Sequence, residues 1–202
     1  MPPVVKQSLV ALALFACTPI SALAGEFLVH AGGENKVTFI SRAAMERFEG
    51  KTSRMEGRIV VAPDSVGDSI TVHLEVDMAS LDTGIAKRNQ HMREAHLETK
   101  KYPKSVFDGA TVLGPAGAKL EPGKPMMLDV NGTFTLHGVS RRIRITVEAT
   151  YTPATAGGSR IAFHTAFPVA LADYQISRPQ FLFLKLAEAQ DVHVSGVAVA
   201  AP

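Results

Sequence analysis

A period-two alternation of apolar and polar residues constrains this chain more than anything else in it. Between Ser69 and Asp77, Ile70, Val72, Leu74 and Val76 alternate with Thr71, His73, Glu75 and Asp77. The rhythm returns from Met127 to Leu136, where Leu128, Val130, Phe134 and Leu136 oppose Asp129, Asn131, Thr133 and Thr135. It returns again from Arg141 to Thr150, with Ile143, Ile145 and Val147 against Arg142, Arg144, Thr146 and Glu148. Successive side chains of a strand point to opposite sides, so each stretch is a strand with one buried face. Weaker strand signals run over Glu26–Val29, Lys36–Ile40, Met55–Val61, Ser105–Leu113, Ile161–Val169 and Asp191–Val199. Turn residues separate them: Pro63-Asp64, the Gly- and Pro-rich run from Gly114 to Pro125, His137-Gly138, and Gly157-Gly158. The pattern predicts about eight or nine antiparallel strands, and a sandwich or a closed barrel both fit it. Closure removes exposed edges and suits strands joined in chain order, so the expected fold is all-β, an antiparallel eight-stranded barrel with one helical insertion.

The insertion is Ala86 to Glu98. It has no β-branched residue, no Gly and no Pro, and it is rich in residues that lose little freedom in a helix. Gly84 supports a turn before it, and Pro103 lies beyond its end. One basic helix between two strands is therefore predicted, covering an end of the barrel and carrying function.

Met1 to Ala24 reads as a signal peptide. Lys6 gives a positive start, Ser8 to Ala16 is an apolar run too short to span a bilayer, and Ala22-Leu23-Ala24 before Gly25 is a small-x-small cleavage pattern. The expectation is export to the periplasm and one domain from 25 to 202. A second pattern competes. Leu14-Phe15-Ala16-Cys17 loosely resembles a lipoprotein box, with Phe15 where a small residue is usual, and cleavage there would anchor the chain by lipid. Cys17 is the only cysteine and leaves with the leader, so neither a disulfide nor a thiolate metal site is expected. A formal charge of +2 argues against nucleic acid as a partner. No later segment is long and apolar enough to cross a membrane.

A barrel of this size can hold one small ligand. The residues expected to line it are Phe39, then Val72 and Leu74, Phe107, Phe134 with Leu136, Ile145, and Phe163 with Phe167. Phe181 and Phe183, in Pro179 to Leu184, either plug the barrel end or join the lining, and the lining is preferred. The chain has no Trp, and long aliphatics with Phe suit a flexible hydrocarbon. Arg88, Arg93, Lys100 and Lys101 could meet an anionic head group or form a solvated face beside Glu94 and Glu98. Arg88 and His91, one helical turn apart, are the candidate head-group contacts. His91 and His96 are five residues apart and are not expected on one helix face, and His73, His137, His164 and His193 are scattered. There is no Gly-x-Ser-x-Gly elbow and no Gly-rich phosphate loop. No catalytic residue, metal ligand or required cofactor is assigned.

Several short pieces in order carry a resemblance. They are Val37-Thr38-Phe39, Met55-Glu56-Gly57-Arg58-Ile59, Val76-Asp77-Met78-Ala79-Ser80-Leu81-Asp82-Thr83-Gly84 and Arg88-Asn89-Gln90-His91-Met92-Arg93. After them come Lys101-Tyr102-Pro103 with Val106-Phe107, Asn131-Gly132-Thr133-Phe134-Thr135-Leu136-His137-Gly138-Val139, and Asp173-Tyr174-Gln175-Ile176. Over nearly the whole exported part the chain resembles the YceI-like family, lipocalin-like barrels that bind polyisoprenoids. The resemblance implies a binding protein without catalysis. It would hold a prenyl quinone or prenyl phosphate in the barrel, for transport, storage or sensing, with transient contact to a membrane or a membrane redox complex. Asn89 stands where the family usually has Asp, which puts charge pairing at the helix start in question. Gln175 stands where Gly is usual, which suggests a different turn between Asp173 and Gln180. Two other readings stay open: a protein-interaction module with a self-filled core, and an enzyme with a His or carboxylate site at the barrel mouth.

Overall fold

The computed structural model describes residues 24–42, 47–67, 70–113, 117–155, 158–181 and 184–202. The leader up to Leu23, Cys17 included, lies outside the described residues. The strands are β1 (Gly25–Val29), β2 (Lys36–Arg42), β3 (Arg47–Thr52), β4 (Met55–Val61), β5 (Ile70–Asp77) and β6 (Lys104–Leu113). They continue with β7 (Pro125–Leu136), β8 (Val139–Thr155), β9 (Gly158–Ala170), the short pair β10 (Gln180–Phe181) and β11 (Leu184–Lys185), and β12 (Ala189–Ala200). One helix, α1 (Ala86–His91), lies between β5 and β6.

Neighbours run β1-β4-β5-β6-β7-β8-β9-β12, and β12 returns to β1 through Phe27↔Ala200 and Leu28↔Val199. This is a closed antiparallel barrel of eight strands, the preferred of the two architectures that the alternation allows, and not a sandwich. The hairpin β2–β3 extends one wall, because β12 pairs with β2 over Asp191 to Ser195 before it reaches β1. Thus β1 and β2 run along β12 as one interrupted strand, and β3 and β4 do the same next to them. Asn35 holds the interruption. Buried, it donates to the carbonyl of His30 at 2.6 Å and accepts from the amide of Val197 at 3.1 Å.

The register follows the side-chain chemistry. Ile70 and Val72 are buried and Thr71 is exposed, and Leu128, Val130 and Ile145 are likewise inside. Strand β3 has no alternation to announce it. Its sequence, Arg-Phe-Glu-Gly-Lys-Thr, carries one large apolar residue, and Gly50 stands opposite Phe39 because that ring lies over it. A Cβ at Gly50 would come within 2.2 Å of the Phe39 ring.

The helix is shorter than predicted. After His91 the chain enters a π-turn over Met92–His96, closed by the Leu97 amide on the Met92 carbonyl at 2.8 Å. Glu98 then turns left-handed, with φ of 43°, and ends the element before Pro103 is reached. Most of the core clusters around the barrel's middle, with Phe27, Met55, Val61 and Val66 among its most buried members. A second cluster, built on Met78, Leu81, Leu136, Leu171, Tyr174 and Ile176, packs against Met92 and Leu97 below α1. Among the described residues no helix is long and apolar enough to cross a membrane.

Candidate ligand cavity and its mouth

The barrel encloses a cavity of about 960 Å³, so its interior is not filled by its own side chains. Seven of the eight barrel strands, all but β1, place inward residues on the wall, and so do β2 and β3. Phe39 comes from β2, Val72 and Leu74 from β5, Phe107 from β6, Phe134 and Leu136 from β7, Ile145 from β8, and Phe163 and Phe167 from β9. All nine predicted lining residues that can be located stand there. The side chain of Phe181 and the whole of Phe183 lie outside the described residues. Phe134 meets Phe167 and Tyr174 edge to face, with centroids 5.6 and 5.5 Å apart.

Polar groups on the wall are few, and most are already bonded. Ser105 donates to the Thr135 carbonyl, Thr165 to that of Thr146, and Gln190 to that of Ala187. The ionisable lining residues are Lys87, Arg88, His91 and His96, all from one short segment, and no described Asp or Glu joins them. Among the described residues, the exposed lining residues are Ile85, Lys87 and His91. The cavity therefore opens beside the start of α1, and its polar end is lined by basic residues.

Arg88 and His91 both line the cavity, but they are held differently. The Arg88 guanidinium donates from Nε to Thr83 Oγ1 and from Nη2 to the Thr83 carbonyl, each at 2.9 Å, and lies 4.1 Å over the Phe48 ring. This anchors the helix to the preceding turn and to β3. His91 is exposed, and its ring meets that of His96 edge to face at 4.8 Å. The expectation that these histidines diverge is corrected here: a π-turn carries more residues per turn than an α-helix, so positions five apart come onto one side.

Nδ1 of His96 lies 3.0 Å from the Ser177 carbonyl, to which it donates, and Nε2 is buried without a partner among the described residues. Burial pushes the His96 pKa down. The Ser177 carbonyl opposes that shift, and the nearby His91 adds to it.

Asn89 is buried at the helix start. Its Oδ1 accepts from the Thr83 amide at 2.8 Å and from the Thr83 hydroxyl at 2.7 Å, while Nδ2 donates to Asp82 Oδ1 at 2.6 Å. A carboxylate at position 89 would have no N–H for Asp82, so the amide replaces a charge interaction with hydrogen bonds. The Gly84 amide, together with Asn89, holds the Asp82 carboxyl below its ordinary range. Gln175 takes the left-handed conformation itself, with φ of 55° and ψ of 28°, at the end of the short helical turn Leu171–Tyr174.

The remaining histidines do not line the cavity. His164 and His193 stack at 6.4 Å, His73 pairs with Asp108, and His137 bonds to Glu98 and to the Tyr174 carbonyl. Lys87, His96 and Phe48 were not singled out from the sequence. Nothing in the spacing distinguishes Lys87 from the other cations nearby, and the π-turn that brings His96 inward has no propensity signature.

Fold and site together define a class: closed eight-stranded up-and-down barrels with an apolar internal cavity and a basic mouth under a short helix. Residues 31–198 match the YceI-like domain. The chain belongs to that family. A UPF0312 protein of Vibrio parahaemolyticus is 30% identical over 179 residues, covering 85% of this chain and 89% of that protein. Protein YceI of Escherichia coli O157:H7 is 31% identical over 109 residues, about half of each chain. Among solved structures, a polyisoprenoid binding domain from Saccharophagus degradans implicated in plant cell wall breakdown superposes with a TM-score of 0.67 at 19% identity. That match covers 88% of this chain and 99% of the other. Burkholderia cenocepacia BcnA gives 0.66 at 16% identity, over 82% and 97%. At these identities the two structures establish the fold.

Proposed function

We propose that the protein binds, rather than transforms, an amphiphilic lipid with an isoprenoid tail, a prenyl quinone or prenyl phosphate. The tail occupies the barrel and the head lies at the mouth against Arg88 and His91. One observation carries this reading: a large apolar cavity whose described ionisable groups are all basic and all come from one short segment, 87–96. At roughly 30 Å³ for each small group, comparable to water's share of its liquid, the volume has room for about thirty carbon-sized groups. Each buried methylene contributes ~0.8 kcal/mol, enough in sum to exceed the ordering cost of association. The polyisoprenoid binding described for the Saccharophagus domain supports the same ligand class.

The leader pattern supports a periplasmic setting for this activity, in which the lipid is transported, stored or sensed and no cofactor is called for. Protein purified from a periplasmic extract should begin at Gly25 on N-terminal sequencing. Organic extraction of that protein, followed by mass spectrometry, should release a prenyl lipid in near-stoichiometric amount. An extract without any long-chain amphiphile would overturn the proposal.

A further inference from the structure

The mouth has a surface chemistry of its own. Among the described residues, the exposed large apolar side chains are Ile85 and Met127. Met127 lies on β7 away from the cavity, but Ile85 is both half exposed, at 52%, and part of the cavity wall. Among the described residues, Ile85 is thus the large apolar side chain that belongs both to the cavity wall and to the exposed surface. Lys87 stands two residues on, exposed and also on the wall, with Arg88 and His91 beside it.

The acidic groups of the same region, Asp82, Glu94 and Glu98, are exposed, hydrogen-bonded to neighbours and absent from the cavity wall. Asp82 accepts from Gly84 and Asn89, Glu94 from Gln90, and Glu98 from His137. On the cavity wall itself, among the described residues, the exposed side chains are one aliphatic, Ile85, and two basic ones, Lys87 and His91.

We propose that this rim is a docking surface for an anionic bilayer, through which the barrel exchanges lipid with the membrane. The inference rests on the lipid-binding reading above. Charge complementarity selects the occupant: Lys87 and Arg88 face lipid phosphates while Ile85 enters the headgroup–acyl boundary, the arrangement of interfacial binding segments. A protein partner would need a far larger surface, about 800 Å² on each side with a cluster of buried anchors, and a single exposed aliphatic does not supply one. One aliphatic and a few cations give weak, reversible attachment, which suits a carrier that must leave again. Docking mouth-first also spares the tail from crossing water.

The test is flotation of the chain from Gly25 onward, which closes the barrel by itself through β1 and β12. Two vesicle types are compared, phosphatidylglycerol mixed with phosphatidylethanolamine, and phosphatidylcholine alone. Binding is expected to the anionic vesicles, to weaken with added salt, and to fall about fivefold for Lys87→Gln. Ile85→Ser should lower it roughly fivefold without altering salt dependence. Both positions are exposed, so the variants should fold, and unchanged thermal unfolding checks that they do. Equal binding to both vesicle types, or binding indifferent to both substitutions, overturns the docking surface. So does attachment only when a second protein is present. A protein that yields a prenyl lipid on extraction yet ignores vesicles would refute docking alone. One that binds vesicles but never retains lipid would refute the ligand reading instead.

Discussion

At Gly57 the backbone leaves no room for a side chain. The residue sits inside β4 with φ of +150°, and a Cβ there would lie 2.0 Å from the carbonyl oxygen of His73 on the adjacent strand. Neither group can yield, because both belong to the barrel ladder. Gly57→Ala should cost about 3 kcal/mol through backbone strain and overlap. For a domain of this size that lowers the melting temperature by about 10 °C, measurable by circular dichroism. Gln175 presents the opposite case. It holds a left-handed conformation that costs an L-residue roughly 1–2 kcal/mol, against which Gly would lose ~0.5–1 kcal/mol of chain entropy. Gln175→Gly should therefore stabilise slightly, by about 0.5 kcal/mol, and raise the melting temperature by one or two degrees at most. A lower melting temperature would show that the Gln175 side chain contributes something its φ does not report. Both positions were visible in the sequence as members of recurring pieces. Their conformations were not, since a left-handed φ is imposed by neighbours distant in the chain.

The helical insertion was legible in composition and place, and less so in geometry. Propensity marks Ala86 to Glu98 as helix-forming, but it carries no information on whether an amide reaches the fourth or the fifth carbonyl back. The π-turn decides what the element does. It brings His96 against His91 and lets its Nδ1 donate to Ser177, tying the helix to the segment that follows the turn at Gln175. Because burial favours neutral His96, the unfolded chain takes up this proton more readily than the folded one. Stability from this group is complete above the unfolded value of ~6.5 and is lost as pH falls from there toward the lowered folded value. The wild-type protein should lose more melting temperature than His96→Asn does on acidification below ~6.5, since Asn keeps an N–H donor and does not titrate. Equal acid sensitivity of the two proteins in calorimetric scans would remove His96 from the account.

At the scale of the molecule, closure was readable because three long strands alternate cleanly and their neighbours in sequence are their neighbours in space. The break that makes β1 with β2, and β3 with β4, share one wall was not readable. It depends on Asn35 reaching the carbonyl of His30 and the amide of Val197, a contact between opposite ends of the chain. Nor could alternation say whether the inward residues meet in the middle. Val147 provides the test of that point. It lies on the cavity wall, half-buried, and is paired across the sheet with Leu128 and Thr165. In a filled core, Val147→Phe would overpack and cost about 1–3 kcal/mol, several degrees of melting temperature. With an open cavity beside it, the added ring has space to occupy and buries apolar area, so the lipid-free protein should melt at or slightly above the wild-type temperature. The same ring takes volume from the tail. Extracts of the variant should then hold less lipid, or shorter chains, and added prenyl lipid should raise its melting temperature less than it raises that of the wild type, because ligand stabilises only in proportion to its affinity for the folded state. A variant that melts several degrees lower while keeping its full load of the same lipid would mean that the tail lies elsewhere and that the space beside Val147 is closed in the protein.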